Sequence, residues 1–365
     1  MDYPLNLYLH GFNLLPQFGP SRLLKLSGYF KDYQKAFFAT ETQLLATGLE
    51  PEIVRAFLKH RETLDLDKEA AKLKAENIGI LTHQDKAYPK LLLEIPKFPP
   101  ILYFRGKMDE PEELCVAMVG TRNISNYGRT IIPSLVEPLV NNGITIVSGM
   151  AFGVDAAAHQ VSINKGKRTV AVLGGGLDQK SLYPKYHALL AERILENGGA
   201  LLSEYPPGTP NFKQNFVARN RIISGMSLAT VIVECDLQSG TLITAHHALD
   251  QNRTVYAVPG PIYAATSQGP NNLLKMGAKP LTSADDILED LNLEKLPEQR
   301  ESQDLFGDTA EEVRLLGILG REPMVIDEII KLSNLEAGKV RSTLTFLEMK
   351  GKVRNLGGQQ YILSR

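Results

Sequence analysis

Between Cys115 and Val258 the chain repeatedly alternates a short apolar, β-branched run with a stretch long enough for a helix. No other feature constrains the fold as strongly. The runs cover 115–119, 144–148, 169–173, 200–203, 229–234 and 254–258. They are too short for core helices and too continuously apolar for a water-facing surface, which predicts strands buried on both faces. Helices are expected over 127–140, 153–164, 186–197, 215–226 and 241–251. Strand–helix alternation with right-handed crossovers gives an α/β architecture, a doubly wound parallel sheet. Ligands of such sheets sit beyond the carboxyl ends of the strands, so the loops there hold the candidate functional residues.

The first of these loops reads GTRNISNYGR. Gly120 lets the chain turn off its strand. Arg122 offers a planar fork to a phosphate, with a surface ion pair as the competing reading. Ser125 stands at a helix start that attracts anions, with plain capping as its competing reading. The second loop, SGMAFGVDAAAH, opens on Ser148 and Gly149, where a phosphate can approach the backbone. Asp155 and His159 in it read as a cap and a structural histidine. The third, LGGGLDQKSLYP, carries Gly174, Gly175 and Gly176. It fails both the Walker and the G-x-G-x-x-G patterns at Gln179, which disfavours an ordinary NTPase or dehydrogenase. The glycine run still says that something approaches this backbone closely. Further on, PNFKQNFVARNRIISGMS interleaves Phe212 and Phe216 with Lys213, Arg219 and Arg221, and puts Asn220 on the face of Phe216. A nucleic-acid strand needs that composition, charge for phosphates and π-faces for bases. The alternative is a core Phe216 and ion-paired arginines. Ser239, Gly240 and Thr241 mark one more helix start.

A reaction is harder to read. No nucleophile is visibly arranged. Asp155, Asp178, Glu204 and Glu234 gather at strand ends, where one of them can serve the cleavage of a nucleotide glycosidic bond. His246-His247 lacks a third ligand at metal spacing, so neither metal nor cofactor is expected. Net charge is 40 − 41 = −1, and no segment is strongly basic, so nucleic-acid binding requires a local patch. With only Cys115 and Cys235, no signal-like N-terminus and no long apolar run, a reducing, cytoplasmic setting without membrane contact is expected.

The flanks differ in texture. Residues 1–77 read as two helical hairpins, broken at Gln17–Pro20 and at Thr47-Gly48-Leu49, a helical-hairpin (SAM/HhH-like) domain. Residues 78–290 form the sheet domain, opened by short strands and proline-rich connections. The polar stretch 291–307 is a linker. Residues 308–365 read helix, helix, helix, hairpin, a winged-helix pattern. Their 9 basic and 8 acidic residues nearly cancel, which suits an accessory module. Val340, Leu344 and Leu347 give its third helix an apolar stripe. Within 269–281, Leu273, Leu274, Met276 and Leu281 either support self-association at a sheet edge or close the core.

The ordered motifs MVGTRNISNYGR, SGMAFGVDAAAH, AVLGGGLD with Tyr183-Pro184, LLSEYPPGTP, FVARNRIISGMS, VIVEC, SGTLITAHHAL, VYAVPG and GPNNLLKMGA resemble the DNA-processing protein A family (DprA, also called Smf). That resemblance implies a Rossmann-like domain that binds single-stranded DNA without catalysis. It also implies protection of incoming DNA during natural transformation, loading of the RecA recombinase, single-strand-binding protein as a further partner, and a homodimer. It puts Arg122, Lys213, Phe216, Arg219 and Asn220 near the strand, and the Gly174–Gly176 loop in a phosphate pocket. The runner-up is a nucleotide phosphoribohydrolase of the related lysine-decarboxylase-like group. The P-G-G-x-G-T-x-x-E run of those enzymes has only SGTLITA as its counterpart here.

Overall fold

The structure is a computed structural model that describes residues 4–108, 114–291, 309–319, 323–350 and 352–363. The described chain falls into two compact units, Met1–Ile287 and Leu288–Arg365.

The first unit is built on a nine-stranded sheet in the order β1-β2-β6-β5-β4-β3-β7-β8-β9. The strands are β1 (Gly79–Thr82), β2 (Ile101–Gly106), β3 (Cys115–Val119), β4 (Thr145–Ser148), β5 (Thr169–Val172), β6 (Ala200–Ser203), β7 (Ala229–Ile232), β8 (Thr254–Ala257) and β9 (Lys279–Pro280). From β6 to β9 every pairing is parallel, whereas β1 and β2 add an antiparallel edge. The six predicted strands are all present, within two residues at each end. Alternate side chains of one strand enter different cores, as a period of two requires. In β5, Val170 and Val172 pack in one core and Ala171 in the other.

The chain runs from β3 through β4 and β5 to β6, then returns to place β7 on the other side of β3. Right-handed crossovers therefore put the helices Asn126–Asn141, Val154–Asn164 and Ala188–Glu196 on one face, and Lys213–Gly225 and Gly240–Asp250 on the other. The order reverses between β3 and β7, and the crevice at such a point is where open α/β sheets bind ligands.

The two predicted hairpins are also present. Their helices include Leu5–Asn13, Pro20–Phe30, Glu41–Leu45 and Pro51–Thr63, with Pro20 and Pro51 in first turns, where a missing N–H costs nothing. Arg22 of one hairpin donates to Glu50 at the turn of the other. Residues 1–77 do not stand as a separate body, however. Phe12, Phe37 and Phe57 share a continuous core with Ile101, Tyr103, Ile163 and Leu201 of the sheet unit. The hairpins supply most of the buried side chains of this cluster, and it continues onto the sheet face.

The segment 269–281 needs a correction. Its helix Gln268–Lys275 and β9 bury Leu273 and Leu281, which close the core and cannot form an interface. Leu274 is half-buried against that core, and only Met276 is largely exposed.

The second unit has helices Ala310–Ile318, Ile326–Ser333 and Ala337–Met349 and a three-stranded sheet of β10 (Met324–Val325), β12 (Gln360–Leu363) and β11 (Val353–Gly357), paired in that order. Val340, Leu344 and Leu347 are buried in its core, as their spacing predicts. Lys339 and Lys350 pair with Glu311 and Glu312 at 2.7 Å. The predicted linker 291–307 lies outside the described residues apart from Leu291.

Candidate functional site

The loops after β3 and β4 clasp each other. Gly120 has no room for a Cβ, since Val154 and the Glu234 carbonyl press on it. Thr121 donates its N–H to that carbonyl at 2.6 Å, and its own carbonyl accepts from Val154 N. Gly153 adopts φ +79°, and a Cβ there would strike the carbonyl of Thr121 and the backbone of Arg122. The clasp consumes the backbone and leaves the Arg122 side chain exposed.

Beneath it lie two buried charged groups, Arg219 and Asp155. Arg219 is only 5% exposed and donates to the carbonyls of Gly149 and Val172, so it holds the ends of β4 and β5 together. Burial draws its pKa down to about 10, which leaves it charged at neutral pH. Asp155 accepts from Gly149 N and Ala151 N at 3.1 and 3.3 Å. Burial pushes its carboxyl up, and the charge of Arg219 counters that.

Above this strut a cleft of about 330 Å³ opens between the β3 and β7 loops and the Lys213–Gly225 helix. It is lined by Gly120, Arg122, Lys213, Phe216, Arg219, Asn220, Ser239, Gly240 and Thr241 from the predicted set, together with Val119, Thr121, Ala151, Asp155, Val217, Ile223 and Thr244. Arg122 and Lys213 are exposed. Phe216 is half-buried and tilted against Tyr183, with ring centroids 5.6 Å apart. Ser239 accepts from Thr241 N and donates to Thr241 Oγ1, capping a helix whose N-terminus faces the cleft. The cleft thus offers two open cations, a helix N-terminus and an aromatic face. These groups suit phosphates and a base.

Other predicted residues lie elsewhere, for clear reasons. Gly174, Gly175 and Gly176 are buried, and what approaches them is the protein itself. Phe216 crowds the first, Asn211 the second, and Asp178 with the Pro206–Gly208 turn the third. They are packing glycines, not a phosphate cradle. Ser148 is buried and donates to Met118 O, tying β4 to β3. Ser125 caps its helix, accepting from Gly128 N, and donates to Glu234 Oε1. Gly149 lines only a narrow neck beside the cleft, with its N–H and carbonyl already bonded. Arg219 lines the cleft, but its Nη1 is spent on the carbonyls beneath and its Nε donates to Asn220 Oδ1 at 3.2 Å. Arg221 is paired with Glu204 at 2.7 Å.

The strand-end carboxylates Asp178 and Glu234 are also occupied, while Glu204 is bonded to Arg221 through Oε2 and its buried Oε1 has no hydrogen-bond partner. Asp178 accepts from Ser181 and Gly208, and Glu234 from Ser125 and Thr266. Among the described residues, no group of three or more His, Cys, Asp or Glu lies together as metal ligands. His159 is buried, with Nδ1 on Thr169 Oγ1. Sequence reasoning missed Tyr183 as the partner of Phe216. The only signal was an aromatic beside a proline in a strand-end loop.

Comparison with known proteins agrees with this architecture. Residues 79–292 match the family model described as DNA recombination-mediator protein A, and residues 299–359 match the DprA winged helix domain. Protein Smf of Escherichia coli (strain K12) is 34% identical over 328 residues, covering 88% of this chain and 87% of that protein. The DNA processing protein DprA of Streptococcus pneumoniae (strain ATCC BAA-255 / R6) is 40% identical over 204 residues, 56% of this chain and 71% of its own. A solved structure of DprA from Streptococcus pneumoniae superposes with a TM-score of 0.68 at 30% identity, over 79% of this chain and 98% of that one. A structure of DNA processing protein A from Helicobacter pylori, titled for its single-stranded DNA binding mode, gives 0.52 at 29%, over 59% and 95%. A model matching more than half the chain, relatives matched over most of both lengths and a shared sheet lead to one conclusion: the chain belongs to the DNA recombination-mediator protein A family.

Proposed function

We propose that this chain binds single-stranded DNA in the cleft at the β3/β7 reversal, without chemistry on the strand. One observation carries the reading: exposed Arg122 and Lys213 line one crevice together with the half-buried ring of Phe216. Cations meet phosphates of any sequence, and an aromatic face stacks any exposed base, so single strands are favoured over duplex with little sequence preference. The single-stranded DNA named for the Helicobacter pylori structure supports the same ligand here.

Within this reading the protein shields incoming DNA in the cytoplasm during natural transformation and loads RecA onto it, with single-strand-binding protein as a further partner. Its family membership supports that role. Self-association at the β9 edge, where Lys279 and Pro280 are exposed beside Met276, completes it as a homodimer.

Fluorescence-anisotropy titration with single- and double-stranded oligonucleotides at matched salt tests the ligand, and a nucleoside-monophosphate hydrolysis assay runs beside it. Tighter binding of the single strand, weakening with salt by a slope of about 0.7 per phosphate met, is expected. Equal affinity for duplex would sink the reading. Turnover of the monophosphate would restore the phosphoribohydrolase alternative, which the hydrogen bonds already made by Asp178 and Glu234 do not favour.

A further inference from the structure

A second concavity adjoins the cleft. It is a trough of about 680 Å³ between the start of the Asn126–Asn141 helix, the Val154–Asn164 helix and the Lys185–Glu196 region. Arg122 lines both concavities and the narrow pocket that shares Phe152 with one and Phe216 with the other, so the two adjoin at that residue.

The trough has the same chemistry as the cleft. Arg122, Arg129 and Arg193 line it, and no carboxylate does. None of the three is held in an ion pair among the described residues. Arg193 donates to Gln160 and Asn164 at 3.0 and 3.2 Å, neutral partners that orient the guanidinium and leave its charge uncompensated. Two aromatic rings stand open in it. Phe152 is 41% exposed and Tyr186 85%, with centroids 6.1 Å apart. Phe152 also lines the neck beside Tyr183 and Phe216. The rings therefore form a broken row from Phe216 in the cleft to Tyr186 in the trough. A protein that leaves a tyrosine this exposed among unpaired arginines loses hydrophobic burial and gains a stacking platform.

We infer that the trough is a second subsite for the same strand, which leaves the cleft past Arg122, stacks on Phe152 and Tyr186, and sets its phosphates on Arg129 and Arg193. This rests on the reading of the cleft as a single-strand site. It makes the occluded length longer than the cleft alone admits. A neutral or acidic peptide is the less suitable occupant, because the trough has cations and π-faces but lacks the deep apolar pocket that anchors a peptide side chain.

The experiment compares oligothymidylates of about 6 and about 16 nucleotides on the full chain, by anisotropy across a salt series. Wild type should bind the longer strand much more tightly. The variant Arg129→Ala/Tyr186→Ala/Arg193→Ala should bind the short strand as wild type does. Its affinity for the long strand should fall by about tenfold or more, with a salt slope lower by about 1.4. Tyr186→Ala alone should weaken the long strand, and Tyr186→Phe should not, because the ring face remains. The melting temperature of the single variants should not move, and they decide the matter if the triple variant fails to fold. Unchanged long-strand affinity in a folded variant, or an equal loss at both lengths, overturns the second subsite while leaving the cleft reading intact. A wild-type protein that binds neither length overturns both, and that failure is visible before any variant is made.

Discussion

Arg122 and Arg219 line the same cleft in opposite surroundings, one exposed and the other buried. Arg122 follows the clasped Thr121 on the loop after β3, and its side chain is exposed. Arg122→Ala and Lys213→Ala should each weaken single-strand binding across all sequences and lower the salt slope by about 0.7, with unchanged melting. Arg219 is a positioning residue. Arg219→Met strips the donor from two buried carbonyls and the counter-charge from Asp155, and should cost roughly 3–5 kcal/mol of stability in chemical denaturation. A stable Arg219→Met protein with lost binding would instead make Arg219 a direct ligand. Phe216 falls between these cases. Phe216→Ala should cost about 1–3 kcal/mol in binding if it stacks a base, and a comparison of melting and binding separates that from lost packing on Tyr183.

Single elements depend on buried polar pairs that pH can break. His10 of the first helix is buried with Nδ1 on the Tyr103 hydroxyl of β2, and burial draws its pKa down to about 4 against the pull of Glu69. His159, from the Val154–Asn164 helix, is drawn down to about 3 by burial, with His187 and Arg219 adding to the effect. In the unfolded chain both imidazoles take up a proton near the ordinary histidine value of about 6.5. The folded state therefore binds fewer protons below that pH. The stability these groups contribute is full above about 6.5 and is lost as pH falls toward their folded values, by at most about 1.4 kcal/mol per pH unit for each. Melting temperature measured from pH 7 to pH 4 should fall, and His159→Gln should flatten the decline. A decline unchanged in His159→Gln would assign the acid sensitivity to other groups.

For the whole molecule, the division into two units predicts what each can do alone. A chain ending at residue 291 retains the sheet, the helical layer fused to it and the complete cleft. It should fold cooperatively and bind single strands within about tenfold, or 1.4 kcal/mol, of the full chain. In the winged-helix unit Lys339 and Lys350 are paired with glutamates, Arg314, Lys331, Arg341 and Arg354 stay exposed, and the near-balance of 9 basic and 8 acidic residues over 308–365 argues for a minor share in binding. A larger loss on truncation would make that unit a direct contributor. Self-association is tested at Met276, not at Leu281, whose burial means that a charge there would damage the core. Met276→Glu should give a folded monomer by light scattering if the β9 edge is the interface, and a persisting dimer would place the interface elsewhere.

Much of this was legible in the residues. The runs from Cys115 to Val258 dictate strands because apolar, β-branched segments of that length satisfy their backbone only in a ladder buried on both sides. The stripe of Val340, Leu344 and Leu347 similarly dictates one helix and the face it buries. Local pattern also placed the loops at the strand ends, and so most of the cleft. It did not determine which polar side chain at a loop would remain open. Gly174, Ser125 and Ser148 look like phosphate-binding residues in sequence, and each is claimed by a partner distant in the chain: Phe216, Glu234 and Met118. Nor could Arg219 be told from Arg122, since both follow from the same composition and differ only in what packs above them. Sequence determined the elements and the end of the sheet at which to look. Tertiary packing decided which groups there were spent on the fold, because a buried hydrogen-bonding group must take whatever partner the fold brings to it.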